Sequence, residues 1–360
     1  MRHIAPYSLE KTARSLARGD TSAVEAVRRA LDRIAQTDAD VRAWAALDAD
    51  GALAAAERLD GLVPAERGPL HGVPIGVKDI IDAAGLPTRC GSQLRDGAPA
   101  SSDAAIVARL RRLGAVVLGK TVTTEFAYFS PGPTANPHDT TRTPGGSSSG
   151  SAAAVAAGMV PLALGTQTAA SVSRPAAYCG VTGFVTARGT HAEDGITGLS
   201  PSLDSLGFLT ASVTDMDFLR RVLGGADAAA AFPAACPAAA PAPATVLSWA
   251  PDGSFGVEPA MLAALEHAER ELAALGHPVR RLDFDERGAG LVDAHTVIMA
   301  YDAVRLRSAE AARPEAISPQ LAALFEAGRA VSDAGYAAAH GVVAEQLAWI
   351  RAQLAYGTVL

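Results

Sequence analysis

The sequence predicts a layered α/β fold around a mostly buried β-sheet. Apolar residues recur at helical spacing in several segments, for example Val24, Val27, Leu31 and Ile34. Between such segments lie short apolar runs, and the run at 115–118 is apolar throughout with two β-branched valines at its centre, as in a buried strand. The chain has 360 residues, of which 49% are hydrophobic, enough to bury a large core in one domain or two. Helical patterns that precede strand patterns favour helices packed on a sheet.

Composition and charge argue against several classes of protein. The formal net charge is -7, so we expect no basic face for nucleic acid. The three cysteines, Cys90, Cys179 and Cys236, are scattered and have neither the spacing of a zinc site nor an even number for disulfides, which favours a reducing compartment. The first twenty residues lack the apolar core of a secretory signal, and the longer apolar stretches are broken by Pro and Gly. We therefore expect a cytoplasmic protein with no bound metal and no membrane contact.

Residues 1–60 are predicted to be helical scaffold. Ser22 and Glu25 have the spacing of a capping box, in which each side chain bonds the backbone of the other residue.

The stretch 145–180 contains two serine-bearing loops at opposite ends of one predicted helix–strand unit. We expect a loop at 145–150, a helix at 151–159, a strand at 160–164, a second loop at 165–173 and a helix whose first turn contains Pro175. Ser171 thus precedes a helix N-terminus, where free backbone N–H groups collect and an acyl-transfer nucleophile is well placed. From these residues alone, a flexible linker followed by a core helix remains the alternative.

Lys78 is the candidate base. It lies in the segment 69–82, which is predicted to be a strand and turn, and 28 of the 31 basic residues of the chain are arginine. Arginine keeps its proton in proteins, whereas a lysine removed from water can lose it. The alternative is a lysine that reaches solvent from a strand edge.

Two other patterns carry little weight. Gly114 to Thr121 matches the P-loop pattern letter for letter, but its middle is a buried-strand run preceded by helical spacing, so no nucleotide site is expected and Lys120 is structural or near the rim of the site. A Ser171–His191–Asp204 triad can be drawn, yet the spacing of these residues gives it no support.

The segment GGSSSGSAAAVAAG followed by GTQTAASVSRPAAYCG, with GVPIGVKDI upstream, resembles the amidase signature family. The resemblance implies a Ser–Ser–Lys triad with Ser171 as nucleophile, Ser147 as bridging residue and Lys78 as base. It also implies an oxyanion hole formed by the backbone of Thr168, Ala169 and Ala170. Asp204 matches a recurrent aspartate of the family and is expected to be structural. Tyr128, with Phe129, and Gln167 are the candidate substrate contacts, although Tyr128 and Phe129 are equally compatible with loop packing.

The resemblance further implies one amidase-signature domain over residues 1–360, with an α/β/α fold around a mixed sheet. Its expected parts are an N-terminal helical segment (1–60), a signature core (61–225), an Ala/Pro linker (226–245) and a C-terminal α/β part (246–360). We expect this last part to be incomplete, without the final strands of the family.

The activity implied by the resemblance is hydrolysis of a carboxamide through a Ser171 acyl-enzyme, with no metal or organic cofactor. An acyl transferase or esterase on the same triad, or a catalytically impaired member, are the alternatives. The expected ligand is a small-molecule amide, and a homodimer is left open.

The sequence departs from the family pattern at the second serine loop. The usual GTDTGGSIR reads GTQTAASVS, so that Gln167 and Ser173 replace both members of an ion pair, and Arg174 is a candidate replacement for the charge. Ala169 and Ala170 stand at glycine positions, and because alanine is poor at positive φ we expect a narrower or reshaped oxyanion hole.

Overall fold

A six-stranded mixed sheet forms the centre of the molecule, for which a computed structural model describes residues 3–224, 244–354 and 358–359. Its strands are β1 Trp44–Leu47, β2 Pro74–Lys78, β3 Val116–Thr121, β4 Leu162–Gln167, β5 Thr182–Val185 and β6 Ser205–Thr210. The spatial order is β1-β3-β2-β4-β6-β5. The three central strands β3, β2 and β4 run parallel, whereas β1, β6 and β5 join by antiparallel pairing.

Helices cover both faces of this sheet and form a separate group after it. Those of the described residues are α1 Leu9–Arg18, α2 Ala23–Val41, α3 Ala49–Asp60, α4 Ala105–Arg112, α5 Ser149–Ala156, α6 Ser173–Cys179, α7 Val213–Gly224, α8 Pro259–Ala274, α9 Asp285–Leu306, α10 Ser308–Ala311, α11 Pro319–Ala330 and α12 Asp333–Leu354. Among them, none has the length and apolar character that crossing a bilayer requires.

Two hydrophobic cores, one on each face, make the sheet the middle of three layers. Successive residues of a strand point to opposite faces, so Val117 packs in the core with α1, α4, α7, α9 and α11, while Val116 and Leu118 pack with α2, α3, α5 and α6. Strands β2, β3 and β4 are buried almost completely. The predicted layered fold with a mixed, mostly buried sheet is confirmed.

The N-terminal region follows the prediction except at one strand. The capping box of α2 is present, with Ser22 and Glu25 bonded reciprocally to backbone N–H groups. The expectation of helix throughout residues 1–60 is wrong at β1, which pairs with the edge of β3. The four residues of β1 carry no local strand pattern, so only pairing with β3 defines them.

A second, three-stranded parallel sheet lies in the C-terminal part. It consists of β7 Val246–Ser248, β8 Val279–Arg281 and β9 Thr358–Val359, in the order β8-β7-β9. Helix α8 precedes strand β8, and Gly276 adopts positive φ just after the helix. Most of the predicted Ala/Pro linker, together with Cys236, lies outside the described residues.

The P-loop match has the predicted strand structure. Residues 116–121 form β3 in the interior of the sheet, preceded by α4. Lys120 is buried, pairs with Asp79 at 3.3 Å and donates to the carbonyl oxygen of Pro87 at 3.0 Å. Its positive charge is therefore used inside the protein, and Lys120 has a structural role.

Candidate active site

Lys78 ends the central strand β2 and lies fully inside the protein. Its Nζ donates to Ser147 Oγ at 2.7 Å and to Thr166 Oγ1 at 2.9 Å, and the Thr166 carbonyl oxygen lies at 3.4 Å. Thr166 is on β4, the parallel neighbour of β2. The pairing of β2 with β4 thus places the amine of Lys78 beside Ser147 in the first serine loop.

Burial lowers the pKa of Lys78 from 10.5 to about 7, and the nearby Asp204 and Cys90 only partly oppose this effect. A large fraction of the side chain is therefore a neutral amine at pH 7. In that form Nζ has a lone pair with which to accept a proton. Lys78 does not reach solvent from a strand edge, because β2 is central and the residue is buried.

The first serine loop ends where α5 begins. The peptide bond between Gly146 and Ser147 is cis, and Ser147 is buried. The next residue, Ser148, donates its backbone N–H to the carbonyl oxygen of Ser171 at 3.1 Å. The two serine loops are therefore joined directly through the backbone.

Ser171 lies two residues before α6, as predicted, and is 8% exposed. Ser171 and Ser147 line the same cavity. Within the described ranges, Ser171 Oγ forms no hydrogen bond, so the hydroxyl is free to meet a ligand.

The loop of residues 168–171 carries four backbone N–H groups. Within the part of the chain that the structure describes, these four N–H groups have no protein acceptor. Thr168 and Ala169 line the cavity, whereas Ala170 does not. Neither alanine adopts positive φ, so the physical reason for expecting a reshaped loop does not apply.

Contacts from two sides hold this loop. Asp204 accepts from Thr168 Oγ1 at 2.5 Å and from the N–H groups of Leu199 and Ser200, and burial raises the pKa of its carboxyl. From α9, His295 Nε2 lies 3.1 Å from the carbonyl oxygen of Thr168. These contacts agree with the structural role expected for Asp204.

Gln167 is predicted as a substrate contact, but the structure places its side chain at the start of α6 instead. Its Oε1 accepts from the N–H groups of Val172 and Ser173 at 2.9 and 3.0 Å and from Ser173 Oγ at 3.1 Å, and the residue does not line the cavity. Gln167 therefore caps α6. Gln167 and Ser173, which stand in place of the ion pair of the family pattern, are thus in contact through a neutral hydrogen bond.

The cavity beside Ser171 has a volume of about 440 Å³, a size suited to a small molecule. Tyr128 and Phe129 lie in its wall, where the resemblance places substrate contacts, and Tyr178 adds a third aromatic ring. Arg174 and residues of α9 complete the lining.

Sequence reasoning missed several of these residues. Thr166 could have been suspected, since it stands in the small-residue loop motif just before Gln167. The α9 residues His295, Thr296 and Met299 carry no motif, and His295 is 127 positions from its partner Thr168.

The alternative Ser171–His191–Asp204 triad is not assembled. The His191 ring packs edge-on against Phe208, and its Nε2 has no hydrogen-bond partner within the described ranges. Asp204 bonds Thr168 and backbone N–H groups instead.

A protein-family model described as Amidase matches residues 25–343. The chain belongs to the amidase family. Among solved structures, one titled as an amidase is 32% identical with a TM-score of 0.82, and the match covers 97% of this chain and 79% of that one. The peptide amidase of Stenotrophomonas maltophilia is 28% identical with a TM-score of 0.76, covering 94% of this chain and 78% of that one.

Curated relatives point the same way over a shorter stretch. A protein of Acidothermus cellulolyticus, named as one of the subunits of glutamyl-tRNA(Gln) amidotransferase, is 44% identical over 220 residues, which are 59% of this chain and 44% of that protein. The chain spans about half the length of the curated relatives it matches.

Proposed function

We propose that this member of the amidase family hydrolyses a carboxamide through an acyl-enzyme on Ser171. One observation carries the proposal: a fully buried lysine with a pKa of about 7 donates to Ser147, beside a cavity that also exposes the free hydroxyl of Ser171. Such an amine is a suitable general base near neutral pH.

The proposed first half-reaction forms the acyl-enzyme. Neutral Lys78 takes a proton from Ser147, which takes one from Ser171 as Ser171 Oγ attacks the amide carbonyl. Backbone N–H groups of residues 168–171 stabilise the negative charge that develops on the carbonyl oxygen. The proton then returns from Lys78 through Ser147 to the leaving amine as the C–N bond breaks.

In the second half-reaction water replaces the amine. It attacks the acyl carbon while Ser147 and Lys78 accept its proton, and the proton returns to Ser171 Oγ as the acid leaves. Transfer between Ser147 and Ser171 requires their hydroxyls to approach when substrate binds, which is common for catalytic hydrogen bonds.

Acyl transfer on the same three residues is the second candidate, because relatives of this chain are named as subunits of an amidotransferase. Adding hydroxylamine during turnover distinguishes the two functions. A hydrolase releases acid at its full rate without hydroxylamine, whereas a transferase turns over rapidly only when hydroxylamine is present to accept the acyl group.

A fluorophosphonate probe tests the nucleophile without knowledge of the substrate. We expect one label per chain, mapped to Ser171 by mass spectrometry, and none in Ser171→Ala. Ser173→Ala is the matched control, since Ser173 lies on α6 outside the cavity lining. Labelling of Ser147 or Ser148 with Ser171 unmodified would contradict the assignment.

A further inference from the structure

The cavity beside Ser171 contains one permanent positive charge and no negative charge. Among its lining residues in the described ranges, none is Asp, Glu or Lys, and Arg174 is the one arginine. His295 is the other basic side chain there, and its Nε2 is engaged with Thr168.

Arg174 is poorly satisfied by the protein. Its guanidinium lies 5.5 Å from the centre of the Phe129 ring, and its Nη1 makes a long hydrogen bond of 3.4 Å to the carbonyl oxygen of Gly146. Arg174 forms no ion pair with any carboxylate among the described residues. A guanidinium has five N–H donors, so most of them have no protein acceptor here.

Helix stability does not account for a cation at this position. Arg174 is the second residue of α6, and positive charge in the first turn of a helix is disfavoured by the partial positive charge of the N-terminus. The cap of α6 is supplied by Gln167. A half-buried charge without an ion-pair partner is unfavourable, and an anionic ligand would remove that cost.

We propose that Arg174 binds a carboxylate of the substrate, so that the substrate is an amide that also carries an acid group. The inference rests on the proposed function, because it concerns the same cavity. Arginine and a carboxylate match in geometry through two parallel hydrogen bonds. One guanidinium neutralises one carboxylate, whereas a phosphate dianion would leave excess negative charge.

Matched amide pairs test the proposal. Succinamate and butyramide differ essentially by a carboxylate in place of a methyl group, as do malonamate and propionamide, or glutaramate and valeramide. We expect wild-type kcat/KM to favour the acid in at least one pair. Arg174→Gln should raise KM for that acid about 10- to 100-fold, the range of a charge-assisted hydrogen bond, and leave the neutral amide unchanged. Arg174→Lys should retain part of the preference.

Arg142→Gln is the control for loss of a positive charge. Arg142 is exposed, pairs with Asp139 and does not line the cavity, so this variant should behave as wild type. Equal losses on the charged and the neutral amide in Arg174→Gln would show that Arg174 only supports the loop, and would overturn the proposal. Wild-type enzyme that prefers the neutral member of every pair would also overturn it.

A binding measurement separates this inference from the proposed function. Succinate, malonate or glutarate should slow labelling of Ser171 by the fluorophosphonate probe in the wild type, and butyramide at the same concentration should slow it less. Arg174→Gln should lose the protection. Labelling that none of the dicarboxylates slows would overturn the anion site alone, whereas wild-type protein that takes no label at Ser171 would overturn the proposed function.

Discussion

At the scale of single residues, Lys78 has the property that a catalytic base needs. Its pKa is about 7 because the side chain is fully buried. Its Nζ donates hydrogen bonds to Ser147 and Thr166. Exposed lysines keep a pKa near 10.4, so burial in the central strand makes this amine available as a base.

The first prediction concerns the charge of Lys78. Because the neutral amine is the base and the protonated form dominates below the pKa, kcat/KM should rise with pH through about 7 and then level off. Lys78→Arg should lose activity about 10²- to 10⁴-fold, nearly as much as Lys78→Ala, since a guanidinium stays protonated. Steady-state rates between pH 5.5 and 9 measure both effects.

The matched control is Lys11→Arg, a substitution at an exposed position of α1 that should leave the pH profile unchanged. A Lys78→Arg enzyme that keeps most of its activity, with a flat profile, would be incompatible with Lys78 as proton acceptor.

At the scale of elements, the short helices α5 and α6 present the two serine loops. Gln167 caps α6 just after Ser171, and the backbone bond between Ser148 and Ser171 joins the loops. Helix α5 approaches the backbone of two neighbouring segments closely, and Gly150 allows this. A Cβ at Gly150 would overlap the carbonyl oxygen of Ala43 and the nitrogen of Val122.

The second prediction is therefore that Gly150→Ala destabilises the protein by about 2 kcal/mol or more, because the atoms in the way are backbone. Gly290→Ala is the control: Gly290 is also helical, on α9, and no atom lies within 4 Å of its added Cβ. That variant should be neutral or more stable by up to about 1 kcal/mol. Urea unfolding of both variants checks this, and equal stabilities would show that the close approach is not needed.

At the scale of the whole molecule, the C-terminal helices complete a cavity that the sheet begins. Helix α9 contributes His295, Thr296 and Met299 to the lining. It is held there by Asp302, whose Oδ2 accepts from Ser200 Oγ at 2.7 Å and from the N–H of Ser202 at 3.1 Å. Residues far apart in the chain thus form one site.

The third prediction concerns this attachment. Asp302→Ala leaves the buried hydroxyl of Ser200 and the partly buried N–H of Ser202 without this acceptor, which should cost about 1–3 kcal/mol of unfolding free energy and raise KM as α9 loosens over the cavity. Asp302→Asn keeps an oxygen acceptor and should lose less. Asp32→Ala, at an exposed carboxylate on α2 away from α9, is the control. Should Asp302→Ala unfold like the wild type, α9 would owe its position to other contacts.

The sequence by itself predicted the layered fold, the capping box of α2 and the strand nature of the P-loop match. It also singled out Lys78, Ser147 and Ser171, whose catalytic roles stay a prediction. These features depend on periodicity, cap residues and motifs a few residues long, so local sequence contains the information.

Only the tertiary structure decided the environment of these residues. Lys78 meets Ser147 across 69 positions, β1 exists because β3 offers it an edge, and Gln167 turns to cap α6 rather than to enter the cavity. Arg174 faces a cavity wall completed by α9, more than a hundred positions later. Burial, and with it the pKa of Lys78 and the unpaired charge of Arg174, depends on which distant segments pack together, and no short pattern records that.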